Sequence, residues 1–215
     1  MARAVSILAA MGCFGLLLTI GDAQGEDYHY GTGFFVHPNG FLLTNEHIVE
    51  GAKEIAVVTS DGRTLPARVI RADAYKDLAL IKVEVVNSPY LALGRSADVK
   101  VLDSIIAVGF PYAEKIGAEL SAYDGKVNAI RESGRIPILE IDANVNPGNS
   151  GGPVLNDRGE VVGVVVGKVD AAASLLKEGD LPERINFAIP IDECKGGNKR
   201  GISVRLSSAI GWREA

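Results

Sequence analysis

The sequence has little material for a metal site, a disulfide framework or a nucleic-acid-binding surface. Its 215 residues include two cysteines and three histidines, and these show no metal-ligand spacing. The net charge is −5 and basic residues form no run, so nucleic acid is not an expected partner. The chain also lacks internal repeats and low-complexity tracts. With 47% hydrophobic residues it can bury the core of one domain or of two fused subdomains.

Charge is also missing from residues 4–21, which follow Arg3. A basic residue, an uncharged run and small residues such as Ala23 and Gly25 are typical of an export signal peptide. We therefore predict a leader over residues 1–25, cleaved after Ala23 or Gly25. The alternative is an uncleaved membrane anchor through the same uncharged run, because its length is near the lower bound for a spanning helix.

The rest of the chain consists of short apolar segments separated by turn signals. The pairs that mark these turns are Asn39-Gly40, Asp61-Gly62, Asp124-Gly125 and Arg158-Gly159. Such pairs between apolar runs are typical of β-hairpins, and their repetition predicts an all-β barrel or sandwich. Residues 163–169 faintly match a phosphate-binding loop, but the glycine spacing is too short and Val169 replaces the required hydroxyl residue. We predict a buried strand there.

A glycine-rich turn at residues 146–153, NPGNSGGP, carries Ser150. A nucleophilic hydroxyl requires a tight turn whose amide N–H groups face the developing oxyanion. The same residue types also mark ordinary turns, so the segment alone leaves both interpretations open. Upstream, His47 follows an apolar strand and Asp77 precedes another. The order His, Asp, Ser is that of the chymotrypsin fold.

These three residues have complementary chemical roles. Serine is a weak nucleophile that needs a neighbouring base, which histidine can supply near neutral pH. An aspartate holds the histidine tautomer and stabilises the imidazolium. The other two histidines lie in a polar lead-in and in a turn, and Asp73 lacks the apolar strand that follows Asp77. We therefore predict His47, Asp77 and Ser150 as a catalytic triad, with Asp73 as the rival acid.

Five segments together resemble the HtrA (Deg) family of trypsin-like serine proteases. They are GTGFF at 31–35, TNEHIV at 44–49, DLAL at 77–80, GNSGGP at 148–153 and NFAIP at 186–190. The resemblance implies a chymotrypsin/trypsin-like double β-barrel with the active site in the cleft between two six-stranded barrels. On this basis residues 31–35 form the first barrel strand. His47 and Asp77 come from the first barrel and Ser150 from the second.

The resemblance also implies an activity. A serine endopeptidase of this type hydrolyses unfolded or misfolded polypeptides through an acyl-enzyme, without a metal or other cofactor. The oxyanion hole would be the backbone N–H groups of Gly148 and Ser150. Val145, Gly167 and Ile185 would line an apolar pocket that favours a small or medium aliphatic residue before the cut. A homo-oligomer, namely a trimer, is also implied. The alternative is a catalytically idle binding or chaperone module, or an inactive truncated relative.

The resemblance implies a domain plan and a location as well. Residues 26–191 would form the protease domain, and a helical linker with one or two PDZ domains would follow. Residues 192–215 are too few for a PDZ domain, so we expect a divergent tail instead. Cleavage of the leader would remove Cys13 and leave Cys194 as the only cysteine, which excludes an internal disulfide. Export without disulfides fits a bacterial envelope protein, periplasmic or secreted.

Overall fold

Two antiparallel β-barrels make up the computed structural model, which describes residues 14–20, 28–113, 119–132, 136–167 and 186–195. The strands of the first barrel are β1 (Phe14–Ile20), β2 (Tyr28–His37), β3 (Phe41–Thr44), β4 (Glu54–Thr59), β5 (Thr64–Asp73) and β6 (Leu78–Val83). Those of the second are β7 (Ser104–Gly109), β8 (Ser121–Arg131), β9 (Ile138–Ile141), β10 (Pro153–Leu155), β11 (Val161–Val166) and β12 (Asn186–Pro190). The short helix α1 (Asp192–Lys195) follows β12. The predicted all-β double barrel is confirmed.

Both barrels close on themselves and therefore leave no open sheet edge. The first runs β1-β2-β3-β6-β5-β4, with β4 pairing back onto β1. The second runs β10-β11-β12-β9-β8-β7, with β7 pairing back onto β10. Closure satisfies the backbone hydrogen bonds that an edge strand would expose. The segment predicted as a buried strand rather than a phosphate loop, residues 163–169, overlaps β11, which is buried at every position. Residues 168 and 169 lie outside the described residues.

Three of the four predicted hairpins are present, and the fourth prediction is wrong. Gly40, Gly62 and Gly159 have positive φ angles of 81°, 81° and 76° at the turns between their strands. Gly125 instead lies inside the continuous strand β8, opposite Ile105 of β7. The reason is a close backbone approach, because a β-carbon at Gly125 would lie 2.6 Å from the nitrogen of Ala143.

The first strand of the first barrel lies elsewhere than predicted. Residues 31–35 belong to β2, whereas β1 lies inside the segment predicted as a leader. β1 pairs with β2 from Phe14 opposite Phe34 to Ile20 opposite Tyr28, and it pairs with β4 along its other edge. Phe14 is fully buried. The leader and the anchor remain predictions, but cleavage after Ala23 or Gly25 would remove a barrel strand.

A hydrophobic cluster and one threonine join the two barrels. The cluster includes Phe34 and Leu80 of the first barrel together with Val108 and Ile189 of the second. Thr32 of β2, which is fully buried, crosses the same boundary. Its N–H donates to the carbonyl oxygen of Ser150 at 2.8 Å, and its hydroxyl donates to that of Gly148 at 2.7 Å.

Two further hydrogen bonds extend this joint. The Thr32 hydroxyl accepts a hydrogen bond from the N–H of Phe110 at 3.0 Å. The backbone carbonyl oxygen of Thr32 accepts one from the Thr44 hydroxyl at 2.9 Å. Buried polar groups need such partners, since burying one without a hydrogen bond is costly. The turn of Ser150 is thereby fixed to β2 and, through Thr44, to the end of β3.

The pairing of β1 predicts that a chain beginning at Gln24 is less stable than one beginning at Phe14. Loss of β1 leaves the facing edges of β2 and β4 without backbone partners, which also favours aggregation. Urea unfolding followed by circular dichroism should give a lower midpoint for the shorter chain. Equal midpoints would mean that β1 contributes nothing to the folded barrel.

The joint at Thr32 predicts an asymmetry between two substitutions. Thr32→Val removes the hydroxyl and leaves the carbonyl of Gly148 and the buried N–H of Phe110 unpaired, so the free energy of unfolding should fall by about 1–3 kcal/mol. Thr32→Ser keeps the hydroxyl and serves as the control. Urea unfolding of both variants measures the difference, and equal losses would assign the effect to packing alone.

Candidate functional site

The histidine and the aspartate of the predicted triad are in direct contact. His47 lies in a short 3-10 turn, Glu46–Ile48, directly after β3, and Asp77 lies directly before β6. His47 Nδ1 is 2.9 Å from Asp77 Oδ1 and 2.8 Å from Oδ2. A carboxylate can only accept, so Nδ1 carries the hydrogen and Nε2 is the basic nitrogen. The backbone N–H of His47 donates to the same carboxylate at 3.0 Å.

Asp77 has an unusual backbone conformation that several neighbours stabilise. Its φ angle is 54°, in the left-handed region that costs a non-glycine residue of order 1–3 kcal/mol. The carbonyl of Asp77 accepts a hydrogen bond from Asn45 Nδ2 at 3.0 Å. Asn45 is fully buried just before the histidine turn. The conformation therefore directs the carboxylate toward His47 while the main chain is held in place.

Asp73, the rival acid, has a different role. Its carboxylate oxygen Oδ1 accepts the N–H groups of Tyr75 at 3.0 Å and Lys76 at 3.2 Å. An aspartate that accepts from residues two and three positions ahead stabilises a turn. Asp73 thus shapes the loop that presents Asp77, and Asp77 alone of the two contacts His47.

The environment of the histidine is acidic and partly desolvated. Burial, followed by the negative charges of Glu50 and Asp77, raises the pKa of Glu46 beside it. The His47 side chain is 12% exposed and that of Asp77 is 9% exposed. His47 Nε2 has no hydrogen-bond partner among the described residues. This nitrogen is buried, so its lone pair is neither solvated nor paired with a described residue.

Ser150 lies in the turn between β9 and β10, and Gly148 determines the shape of that turn. Gly148 has a φ angle of 99°, and a β-carbon there would overlap the carbonyl oxygen of Phe110. The carbonyl of Pro147 accepts the N–H of Tyr112 at 2.8 Å. The N–H groups of Gly148 and Ser150 donate to no described residue. They are the two donors predicted for an oxyanion hole.

The Ser150 side chain approaches the predicted substrate pocket. Its Oγ accepts the N–H of Gly167 at 3.1 Å. A β-carbon at Gly167 would lie 2.7 Å from this Oγ and 3.7 Å from Val145 Cγ1. The structure thus brings Ser150, Gly167 and Val145 together. Ile185, the third predicted pocket residue, lies outside the described residues.

The serine turn also lies against the histidine motif. A β-carbon at Gly151 would be 3.0 Å from the nitrogen of Asn45, two residues before His47. No hydrogen bond connects His47 Nε2 with Ser150 Oγ in the part of the chain that the structure describes. His47 and Asp77 are therefore engaged with each other, the serine turn packs against the segment that precedes His47, and the Ser150 hydroxyl is bonded to Gly167.

Three further observations on the described residues concern a buried amide, metal binding and a buried thiol. Asn149 is 1% exposed, and neither its amide nitrogen nor its amide oxygen has a partner among the described residues. Groups of acidic, histidine or cysteine residues able to hold a metal ion do not occur within the described ranges. Cys194 is a free buried thiol, and burial raises its pKa to about 12. This thiol is therefore not a nucleophile near neutral pH.

Sequence reasoning missed two features of the site. Thr32 lies inside the GTGFF segment, but nothing in the sequence shows that its hydroxyl reaches the serine turn. Lys76 precedes Asp77 and is 5% exposed, with Glu193 as its partner. A lysine beside an aspartate on a turn is expected to be solvated, so only the fold reveals this contact.

Comparisons with known proteins agree with this architecture. Residues 31–164 match the model of a trypsin-like peptidase domain. A curated relative from Hahella chejuensis, named as a probable periplasmic serine endoprotease of the DegP-like type, is 37% identical over 162 residues, or 75% of this chain and 33% of its own length. The putative serine protease HhoA of a Synechocystis strain is 38% identical over 77% of this chain and 41% of its own length.

Solved structures show the same similarity. The HtrA-type protease AlgW with a tripeptide has a TM-score of 0.72 and 28% identity, covering 88% of this chain and 60% of that protein. This chain spans about a third of the curated DegP-like relatives that it matches. The matched domain, the double barrel and these relatives together identify the chain as a member of the trypsin-like peptidase family, of the HtrA type.

Proposed function

We propose that the chain is a serine endopeptidase that hydrolyses polypeptides through an acyl-enzyme. The observation that carries this proposal is the contact of His47 with the Asp77 carboxylate beside a glycine turn that presents Ser150. The family supports the same reaction, because its relatives are named as serine endoproteases. Turnover requires no group beyond those of the chain, the substrate and water.

Each residue of the triad has one task. Ser150 Oγ attacks the scissile carbonyl and forms a bond to its carbon, while His47 Nε2 takes the hydroxyl proton. The imidazolium then passes this proton to the leaving amine, and water releases the acyl group by the reverse sequence. Asp77 keeps Nδ1 protonated and stabilises the imidazolium. Ser150 Oγ is bonded to Gly167, and His47 Nε2 has no described partner. For catalysis the hydroxyl has to move within hydrogen-bond distance of Nε2, and such catalytic hydrogen bonds often form fully only when substrate binds.

The developing oxyanion needs donors that are already oriented. The free N–H groups of Gly148 and Ser150 are suited to this, since neither donates to another described residue. A single donor of this kind is worth about 100- to 1000-fold in turnover. Thr32 accounts for the orientation of the turn, because it binds the carbonyl oxygens of these same two residues.

We propose unfolded or misfolded polypeptides as substrates, in the bacterial envelope. The naming of several relatives as periplasmic endoproteases supports the location. The substrate class rests on the resemblance to the HtrA type alone. Among the described residues, none of the helices has the length and apolar character of a membrane-spanning segment. We keep a homo-oligomer as part of this proposal, on the resemblance to the HtrA type alone.

The triad predicts that Ser150→Ala and His47→Ala each reduce turnover by roughly a millionfold, as in a comparable triad. Cleavage of casein and of a chromogenic peptide measures this, with circular dichroism to verify folding. His37→Ala is the matched control, because that histidine belongs to the same barrel and its ring accepts the N–H of Asn39 and contacts the Phe41 ring, away from the predicted triad. Retention of most activity by either triad variant would falsify the assignment and favour the binding-module alternative.

The pocket predicts selectivity for aliphatic residues. Peptides with Val, Ala or Ile before the cut should be cleaved faster than peptides with Lys or Arg, because Val145 and Gly167 beside Ser150 offer no carboxylate to a desolvated cation. A peptide library with cleavage sites read by mass spectrometry tests this. Dominance of basic residues at that position would overturn the pocket assignment.

A further inference from the structure

Lys76, the residue directly before Asp77, is buried although it carries a charge. It is 5% exposed. Lysine is almost never buried unless it is paired, and this one is paired with Glu193 of α1. Its Nζ lies 2.8 Å from Glu193 Oε2 and donates to the Glu193 backbone carbonyl at 2.9 Å. The two side chains are 6% and 16% exposed, so solvent weakens this pair little.

The helix that carries Glu193 is anchored independently of the Asp77 turn. Asp192 Oδ2 accepts the Ser96 hydroxyl and the Ala97 N–H, each at 2.9 Å. Lys195 donates to the carbonyl of Gly94 and pairs with Asp192 Oδ1 at 3.2 Å. These bonds fix α1 to the segment that connects the barrels. The position of Glu193 is therefore fixed by bonds that do not involve Lys76.

The other end of Lys76 is fixed as well. Its backbone N–H donates to both the carbonyl oxygen and Oδ1 of Asp73, each at 3.2 Å. Its own carbonyl carbon forms the peptide bond to Asp77, whose φ angle of 54° is strained. Fixing Lys76 at its backbone and at its Nζ restricts the rotation that would relax this strain.

We propose that the Lys76–Glu193 ion pair is a positioning element for catalysis, which keeps Asp77 in the conformation that binds His47. The proposal rests on the proposed function, because it concerns the same triad. It assigns α1, which follows β12 of the second barrel, a part in holding the Asp77–His47 contact of the first barrel. Lys76 acts through Asp77 and does not itself touch the reacting atoms.

The expected size of the effect follows from geometry. Asp77 makes two hydrogen bonds to His47, through the backbone N–H and through Nδ1. A displacement of about 1 Å in a catalytic array can cost about 100-fold in rate. Loss of one partner also leaves a buried charge unpaired, which drives the turn to rearrange.

The test uses the full chain with Lys76→Met and, as a milder change, Glu193→Gln. We expect kcat on a chromogenic peptide to fall about 10- to 100-fold with KM within about twofold, since the substrate pocket is untouched. The downfield proton resonance of His47 Nδ1–H should broaden or move upfield, because it reports the bond to Asp77. Lys76→Arg preserves the pairing and should retain both the rate and the resonance.

The matched control is Lys82→Met, which removes another mostly buried lysine of the first barrel, one that pairs with Glu84 at 3.0 Å and not with α1. Unfolding midpoints of all variants separate loss of stability from loss of positioning. If Lys82→Met lowers kcat as much as Lys76→Met does, or if the Nδ1–H resonance is unchanged in both Lys76→Met and Glu193→Gln, the proposal is wrong. Failure of the proposed function would look different, because wild type and Ser150→Ala would then be equally inactive.

Discussion

The hydrogen bonds of Thr32 are the constraint on which the rest of the site depends. The histidine and the serine belong to different barrels, so their separation is determined by how the barrels meet. A hydrophobic interface alone is non-directional and would allow the two barrels to shift slightly against each other. The directional bonds from Thr32 to the carbonyls of Ser150 and Gly148 remove that freedom. Because Thr44 binds the carbonyl of Thr32, the register extends to the strand that ends at the histidine turn.

A second constraint concerns the aspartate. The left-handed backbone of Asp77 is unfavourable, and it persists because hydrogen bonds from its surroundings offset its free-energy cost. Asn45 binds its carbonyl, and Asp73 stabilises the preceding turn. The two acidic residues, which look like rivals in sequence, thus cooperate: Asp77 holds the His47 ring and Asp73 shapes the loop.

The sequence was sufficient to predict the parts of the fold that depend on local chemistry. Turn pairs at Gly40, Gly62 and Gly159 mark real hairpins, because each glycine occupies a positive φ angle. The pair at Gly125 was misleading, since a glycine needed for close backbone approach looks the same in sequence as one needed for a turn. The contact of His47 with Asp77 joins two residues that the sequence predicts to belong to one triad.

Contacts between distant segments could not be predicted in this way. Thr32 and Gly148 are 116 residues apart, and Lys76 and Glu193 are 117 apart. No local pattern records that two such residues meet. For Lys76, solvent exposure was the reasonable expectation, because only the folded chain brings an acidic partner to a buried position.

The segment Phe14–Ile20 shows why one physical property can support two structural predictions. An uncharged run suits the apolar environment of a membrane, and it equally suits a barrel strand with two pairing partners. One molecule cannot use this segment both as a cleaved leader and as a barrel strand, because cleavage after Ala23 or Gly25 removes β1. β1 pairs along β2, and β2 carries Thr32. Removal of β1 would therefore act on β2 and, through Thr32, on the alignment of the serine turn with the histidine motif.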